Sequence, residues 1–594
     1  MKKSRIFIIL FSICSLGNNL IHAQLIQKAP LLPIGFREIG LTQLKQICIP
    51  SDRYSELWEA LDSSQKKDGN FFDNKYPLFD WPLENALHDE LILVNYVDDD
   101  NTALIKDYMG NPHSYNGHNG TDMTLYNFRK MDQGMRVLAA AGGTVVQTEY
   151  SRYDRNTGPP YPDDGNYIII EHDDGTFCWY WHFRKNSLTV EEGEAIQAEQ
   201  ILGLVGSSGY STDAHLHFET GEYISSVWTK RDPWNGTYNP LPSLWKSQEP
   251  YIGTAPLRIY DMGVFTQAAA GGDLSDIPIE LFKERITQPI VMGADEPFIA
   301  VWLQFQGQAG DPYKLEILRP DNSVYSSVNY SLSTKLRYGW HYWYWNFSGN
   351  VPPSDYGIWT ARIVIDEIVV HQVNFEVDST TEYAPRFWPI AGRSFRINGI
   401  VQRDTLRVSP LGGSVYYSLL NAPDFVTLVD DSVVTIGGAS TQSYRSLYFE
   451  ATATDAEERQ DTMWYHIVDP SKPLDGSPDA VDDLLATLVD GSKSTSGDLL
   501  LTWTEPYSEA GVSFYVVYRS GQPSETGDSL AWTAETEYTD VGVVGDTLVN
   551  HFYTIKAVDV VGRKSPPSNQ VGEFDIQLIV SEKASSKRDL LRRE

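Results

Sequence analysis

Along most of this chain, apolar residues gather in short runs or alternate with polar ones, and turn residues break the runs. Between positions 137 and 219 these runs are VLAAAGGTVV (137–146), YIIIE (167–171), FCWYWH (177–182), ILGLV (201–205) and HLHFE (215–219), with turns such as His172-Asp173-Asp174-Gly175 between them. That pattern predicts antiparallel strands. Similar runs recur at 298–304, 314–318 and 359–365, then at 416–420, 426–436 and 446–453. Residues 480–577 read as seven short strands at sandwich spacing, including 499–503, 514–518, 552–558 and 565–569. Only YSELWEALDSSQK (54–66) reads as a short helix. The expected fold class is therefore mainly β: one antiparallel β-sheet domain followed by β-sandwich modules.

The N-terminus has a different pattern. Lys2, Lys3 and Arg5 precede an apolar run at 6–16, and Ala23 offers a small residue for cleavage. This is the layout of a secretory signal peptide, too short for a stable membrane anchor. No other stretch approaches the roughly 20 apolar residues that a span needs, so the expected product is exported and carries no integral membrane span. The predicted organisation is a signal peptide at 1–23, an N-terminal extension at 24–80, a main β domain at 81–245, sandwich modules at 251–378 and 383–468, a linker at 469–479 (DPSKPLDGSPD), a third sandwich at 480–577 and a charged tail at 578–594. Residues 81–245 hold every chemically suggestive cluster, and the loop at 231–245 reads as a boundary, so the segment 24–245 is expected to work without the sandwich modules.

Composition narrows the partners. A formal charge of -32 argues against nucleic acid or an anionic membrane surface, both of which would repel the chain. After removal of the leader only Cys48 and Cys178 remain, enough for one disulfide but not for a thiolate metal site.

The candidate chemistry lies in the histidines. Six of the 12 fall between His113 and His217. A hydrolytic zinc site needs about three nitrogen or oxygen ligands and an open position for water. His118-Asn119-Gly120-Thr121-Asp122 offers an imidazole and a carboxylate; its glycines disfavour a helix, but a turn running into a strand can bring the two together. In His215-Leu216-His217-Phe218-Glu219, strand periodicity puts His215, His217 and Glu219 on one face and Leu216 and Phe218 on the other. The same period pairs Tyr180 with His182. There is no HExxH helix and no GxSxG elbow.

Taken in order, GHNGTD (117–122), AAAGGTVV (139–146), NYIIIEHDDGT (166–176), YWH (180–182), ILGLVGSSGYST (201–212) and HLHFE (215–219) resemble the LytM/lysostaphin-type, or M23, zinc metallopeptidases. The resemblance implies one zinc ion per chain, held by His118, Asp122 and His217, with His182 and His215 as catalytic histidines. It also implies a zinc endopeptidase acting on peptidoglycan cross-links. The alternatives are cleavage of proteins and a surface-binding protein with a vestigial peptidase domain. Glu219 is a candidate either to orient a ligand or to serve a structural role at the strand edge, and Tyr115 to help stabilise an oxyanion; His172 reads as structural and His113 as a loop residue. Asp213-Ala214 stands where relatives commonly have Gly, Phe183 stands where they commonly have Leu, and residues 125–135 are longer than the minimal family turn. Residues 480–577 resemble a fibronectin type III domain, which says little about function. The C-terminal modules are candidates for binding glycan or protein, with plain spacing as the simpler reading.

Overall fold

The structure is a computed structural model, and it describes residues 32–40, 49–61, 76–84, 91–389, 392–473, 478–489, 497–508, 511–523, 526–544, 550–559 and 563–573. The expected leader, the charged tail, and Cys48 with its pairing to Cys178 lie outside the described residues. Among them, no helix is long and apolar enough to cross a membrane.

An eight-stranded antiparallel sheet carries the candidate chemistry. Its strand order is Leu91–Asn95, Thr121–Leu125, His215–Ile224, Phe177–Trp181, Tyr167–Glu171, Gly143–Glu149 and Ala195–Ile196, with Val227–Lys230 hairpinned onto His215–Ile224. Alternation divides each strand between two cores. Leu216, Phe218, Cys178, Tyr180, Ile168 and Ile170 fill one core. Phe177, Trp179, Trp181, Tyr167 and Ile169 line the other. Because His217 pairs with Trp181 and Glu219 with Trp179, the histidine face is the second one.

The predicted helix lies on that second face over Ser51–Ala60, starting earlier than expected and ending at Leu61, which is extended at ψ 141°; the expected residues 62–66 lie outside the described residues. Tyr54, Leu57, Trp58 and Leu61 recur at helical spacing and pack against the aromatic face. Each large apolar side chain buried this way contributes about 1.5–3 kcal/mol. The expected strand at 137–146 is in fact two. Arg136–Leu138 pairs with Ile201–Leu204 in a separate two-stranded sheet, while Gly143–Glu149 joins the main sheet. Between them Ala140 N donates to Tyr180 Oη at 2.8 Å, and the chain enters the main sheet through Gly143, where a Cβ would lie 2.4 Å from Glu171 O.

Downstream, two sheets face each other around a shared apolar core. One has the order Gly35–Gly40, Leu336–Asn346, Phe298–Gly307 and Arg258–Thr266; the other contains five strands. A strand of the N-terminal extension thus completes this sandwich, in antiparallel register from Gly35↔Tyr344 to Gly40↔Gly339. Residues 394–468 form four- and three-stranded sheets. Among the described residues the last unit has seven strands, three in one sheet and four in the other, with Trp503 buried against Tyr515. Its final strand is Val571–Gly572, not 565–569.

The sandwiches are not separate beads. Ile92 and Val94, from the edge strand of the histidine-bearing sheet, share a core with Trp302, Trp340 and Tyr342. Ion pairs Arg155–Glu284 (2.5 Å), Arg445–Glu194 (2.7 Å) and Lys556–Glu199 (2.7 Å) tie each unit to the 91–245 region.

Candidate active site

Strand pairing brings the candidate residues together. Asp122, on Thr121–Leu125, sits directly opposite His217 on the neighbouring strand. The GHNG turn before Asp122 folds His118 back over the same spot. Asp122 Oδ1 lies 3.1 Å from His118 Nε2 and 2.9 Å from His217 Nδ1, and the two ring nitrogens are 3.2 Å apart. All three residues are buried, at 1%, 3% and 2% exposure. Their donor atoms lie within 4.8 Å of one another, the one such grouping of three or more His, Cys, Asp or Glu found among the described residues. Gly120 makes the close approach possible, since a Cβ there would meet the His217 ring at 2.7 Å.

The remaining ring nitrogens set which atoms face this hub. His118 Nδ1 donates to Tyr96 O at 2.8 Å. His217 Nε2 lies 3.4 Å from Glu219 Oε2. Glu219 in turn accepts from Tyr54 Oη (2.9 Å) and Trp228 Nε1 (2.5 Å). A carboxylate behind an imidazole fixes its tautomer and raises its basicity, and Glu219 stands where it could do so for His217. Burial pushes the Asp122 carboxyl pKa up, but the His118 charge and the hydrogen bonds from His118 and His217 outweigh it and hold it well below the usual carboxylate range. Two imidazoles and an ionised carboxylate converging in a dry pocket are a donor set that fits zinc.

His182 and His215 stand beside the hub with their rings 4.4 Å apart. His215 Nδ1 donates to Asp213 O at 2.8 Å, and His182 Nδ1 donates to Ser208 O at 2.6 Å. In each neutral ring Nε2 therefore carries the lone pair. His215 Nε2 is 3.7 Å from Asp122 Oδ1. His182 has a left-handed backbone, with φ 73°, which costs a non-glycine residue about 1–3 kcal/mol. Gly206 N donates to His182 O at 3.0 Å, and Phe183 bridges to Val205, holding the turn that aims the ring.

Tyr115 packs its ring 4.4 Å from the ring of His118. His172 donates through Nδ1 to Gly142 O at 2.7 Å and faces the buried thiol of Cys178, a structural arrangement. Asp213 is buried, and its backbone carbonyl accepts from His215 Nδ1 at 2.8 Å. Residues 125–135 contain the helix Phe128–Asp132, whose Asp132 pairs with Arg155 (2.7 Å). A cavity of about 680 Å³ adjoins His118 through Gly117 and Asn119, lined also by Asp99, Trp228, Lys230 and Asp232. Sequence reasoning missed Tyr54, Tyr96, Asn95, Arg337 and Lys283. None lies in a motif, and only tertiary contact reveals them.

His113 is buried and donates through Nε2 to Leu93 O at 3.1 Å. Burial, reinforced by Lys335 and Arg337, pushes its pKa down to about 3. In the unfolded chain a histidine titrates near 6.5, so the unfolded state takes the proton first as pH falls. The stability present above about pH 6.5 is then lost on the way down to pH 3, at about 1.4 kcal/mol per unit. His113→Gln, which keeps a donor for Leu93 O, should lose less Tm between pH 7 and pH 5 than the metal-free parent. An identical loss would show that His113 does not carry this acid sensitivity.

Residues 116–228 match the model for peptidase family M23. These residues form an M23 peptidase domain. Lysostaphin of Staphylococcus simulans is 33% identical over 132 residues, which are 20% of this chain and 24% of lysostaphin. The peptidoglycan DD-endopeptidase ShyA of Vibrio cholerae is 34% identical over 102 residues, 17% of this chain and 20% of ShyA. The chain thus spans about a quarter of the length of the curated relatives it matches. Among solved structures, the catalytic domain of lysostaphin from Staphylococcus simulans is 25% identical, with 28% of this chain and 96% of that chain covered and a TM-score of 0.16. The M23 match includes His118, Asp122, His182, His215 and His217, and leaves the three sandwiches outside it.

Proposed function

We propose that this chain is an exported zinc endopeptidase that hydrolyses peptide bonds in peptidoglycan. The observation that carries the reading is the convergence of His118, Asp122 and His217 on one buried point, with the Nε2 lone pairs of His182 and His215 beside it. His118 Nε2, Asp122 Oδ1 and His217 Nδ1 would hold the ion. Bound there, zinc supplies a Lewis acid and lowers the pKa of a coordinated water toward roughly 7. His215, kept in its Nδ1–H tautomer by the Asp213 carbonyl, accepts the proton of the attacking water at Nε2. Once protonated, His215 Nε2 can donate a hydrogen bond to the developing oxyanion and return the proton to the leaving amine; His182, oriented by Ser208 O, can share these roles only in its imidazolium form, because its neutral ring keeps the proton on Nδ1. Glu219 holds His217 through its far nitrogen. Burial of the cluster excludes bulk water and strengthens each of these interactions.

Peptidoglycan is favoured as substrate by the relatives named as peptidoglycan and glycyl-glycine endopeptidases and by the export signal in the sequence. The test is incubation of the zinc-loaded protein with purified peptidoglycan, followed by mass spectrometry of the fragments. New peptide termini in stem peptides or cross-bridges are expected. Intact peptidoglycan alongside cleaved protein substrates would replace this reading with a proteolytic one, and hydrolysis of neither would leave a binding protein.

A further inference from the structure

Two basic side chains of the first sandwich reach the active site. Asn95 ends the edge strand Leu91–Asn95 opposite Asp122, and its Nδ2 donates to Asp122 Oδ2 at 2.7 Å. The other end of that amide, Oδ1, accepts from Nη1 of Arg337. Arg337 belongs to the strand Leu336–Asn346, far along the chain in the sandwich. On another side of the site Lys283 closes the helix Ile279–Lys283 of the same unit. It is buried, and its Nζ donates to Thr212 O at 2.7 Å and Thr157 O at 3.1 Å, with Asp213 Oδ2 at 3.4 Å. Asp213 O is the acceptor that fixes His215 Nδ1.

The chemistry of the first chain is directional. A carboxylate can only accept, so Asp122 Oδ2 requires the NH₂ end of Asn95. An asparagine amide flips readily between its two ends, and neither shape nor burial distinguishes them. A guanidinium can only donate, so Arg337 takes the oxygen end and leaves the NH₂ end for Asp122. Rotation of the carboxylate is thereby set, and Oδ1 is presented to His118 and His217. The shared core of Ile92 and Val94 with Trp302 and Trp340 holds the strand that carries Asn95 at this distance.

We propose that the sandwich at residues 258–378 is part of the active site, with Arg337 acting through Asn95 as a positioning residue for Asp122, and Lys283 acting through Thr212–Asp213 as a positioning residue for His215. This rests on the reading of His118, Asp122 and His217 as zinc ligands.

The test uses the full chain and zinc itself, with affinity measured by competition against a chromophoric chelator. Arg337→Ala and Asn95→Ala should each weaken zinc binding by about 10–100-fold, the usual cost of losing a partner behind a ligand. The double variant should be no weaker than about the worse single one, because both break the same chain. Arg337→Lys, which keeps a donor, should recover part of the loss. Tyr338→Phe removes a hydrogen bond to Tyr126 O (3.1 Å) across the same interface without touching this chain, and should bind zinc like the parent. Lys283→Met should keep zinc affinity, lower kcat at least about tenfold, and shift the ¹⁵N signals of metal-free His215 away from the Nδ1–H tautomer. Parent-like zinc affinity in Arg337→Ala, or equal losses in Arg337→Ala and Tyr338→Phe, would overturn the Arg337 half. Unchanged His215 signals and kcat in Lys283→Met would overturn the other. A parent chain that binds no zinc would sink the metal reading and the Arg337 half with it, an outcome distinct from a parent that binds zinc and an Arg337→Ala variant that binds it equally well.

Discussion

His217→Ala is expected to leave a folded protein that retains no stoichiometric zinc and hydrolyses at the background rate. His217 sits at the centre of the hub, 2.9 Å from Asp122 Oδ1 and 3.2 Å from His118 Nε2. It is also the link through which Glu219, Tyr54 and Trp228 act. Removing it takes away one of the three proposed ligands and leaves His118 and Asp122 as an incomplete pair. The loss in affinity should exceed the about 10–100-fold that follows loss of an outer partner. Fold retention is expected because the ring faces the hub, while Leu216 and Phe218 on either side of it keep the strand in the core. Metal analysis and circular dichroism on the same sample check both halves. Stoichiometric zinc in this variant would remove His217 from the ligand set.

His215→Ala should behave in the opposite way, keeping its zinc and losing turnover by roughly 10²–10³-fold or more, the typical cost of a missing general base or transition-state donor. The geometry motivates the split. His215 Nε2 stands 3.7 Å from Asp122 Oδ1, beside the hub, and its Nδ1 is engaged by Asp213 O. His182→Ala should follow the same pattern, since its ring lies 4.4 Å from that of His215. Zinc content and kcat measured together separate the roles. If His215→Ala loses its metal while His217→Ala keeps it, the two strand histidines are assigned the wrong way round.

These expectations come from different depths of information. The alternation in HLHFE determined that His215, His217 and Glu219 share a face, because side chains in any strand repeat every two residues. The glycines of GHNG made a turn more plausible than a helix for His118 and Asp122. Both were legible because they depend on local backbone geometry. The strand at 137–146 was not legible. An apolar run reads the same whether it stays in one sheet or crosses between two, and the Tyr180 hydroxyl that captures Ala140 N lies 40 residues away.

The family resemblance supplied the five candidate site residues, but not what holds them. Residue type cannot tell which nitrogen of His118 or His217 faces the hub; the partners Tyr96 O and Glu219 decide it. Nor does any pattern in LRYGWHYWYW mark Arg337 as a neighbour of Asp122, some 215 positions earlier in the chain. The expectation that residues 24–245 suffice followed from counting ligands, and the contacts of Arg337 and Lys283 cross its C-terminal boundary. The sequence by itself determined the strand faces, the order of the candidate residues and the mainly β class, since each follows from local periodicity and composition. Only the tertiary structure decided which side chains stand behind them. A hydrogen bond between distant strands depends on how sheets pack, and packing leaves no periodic trace in the chain.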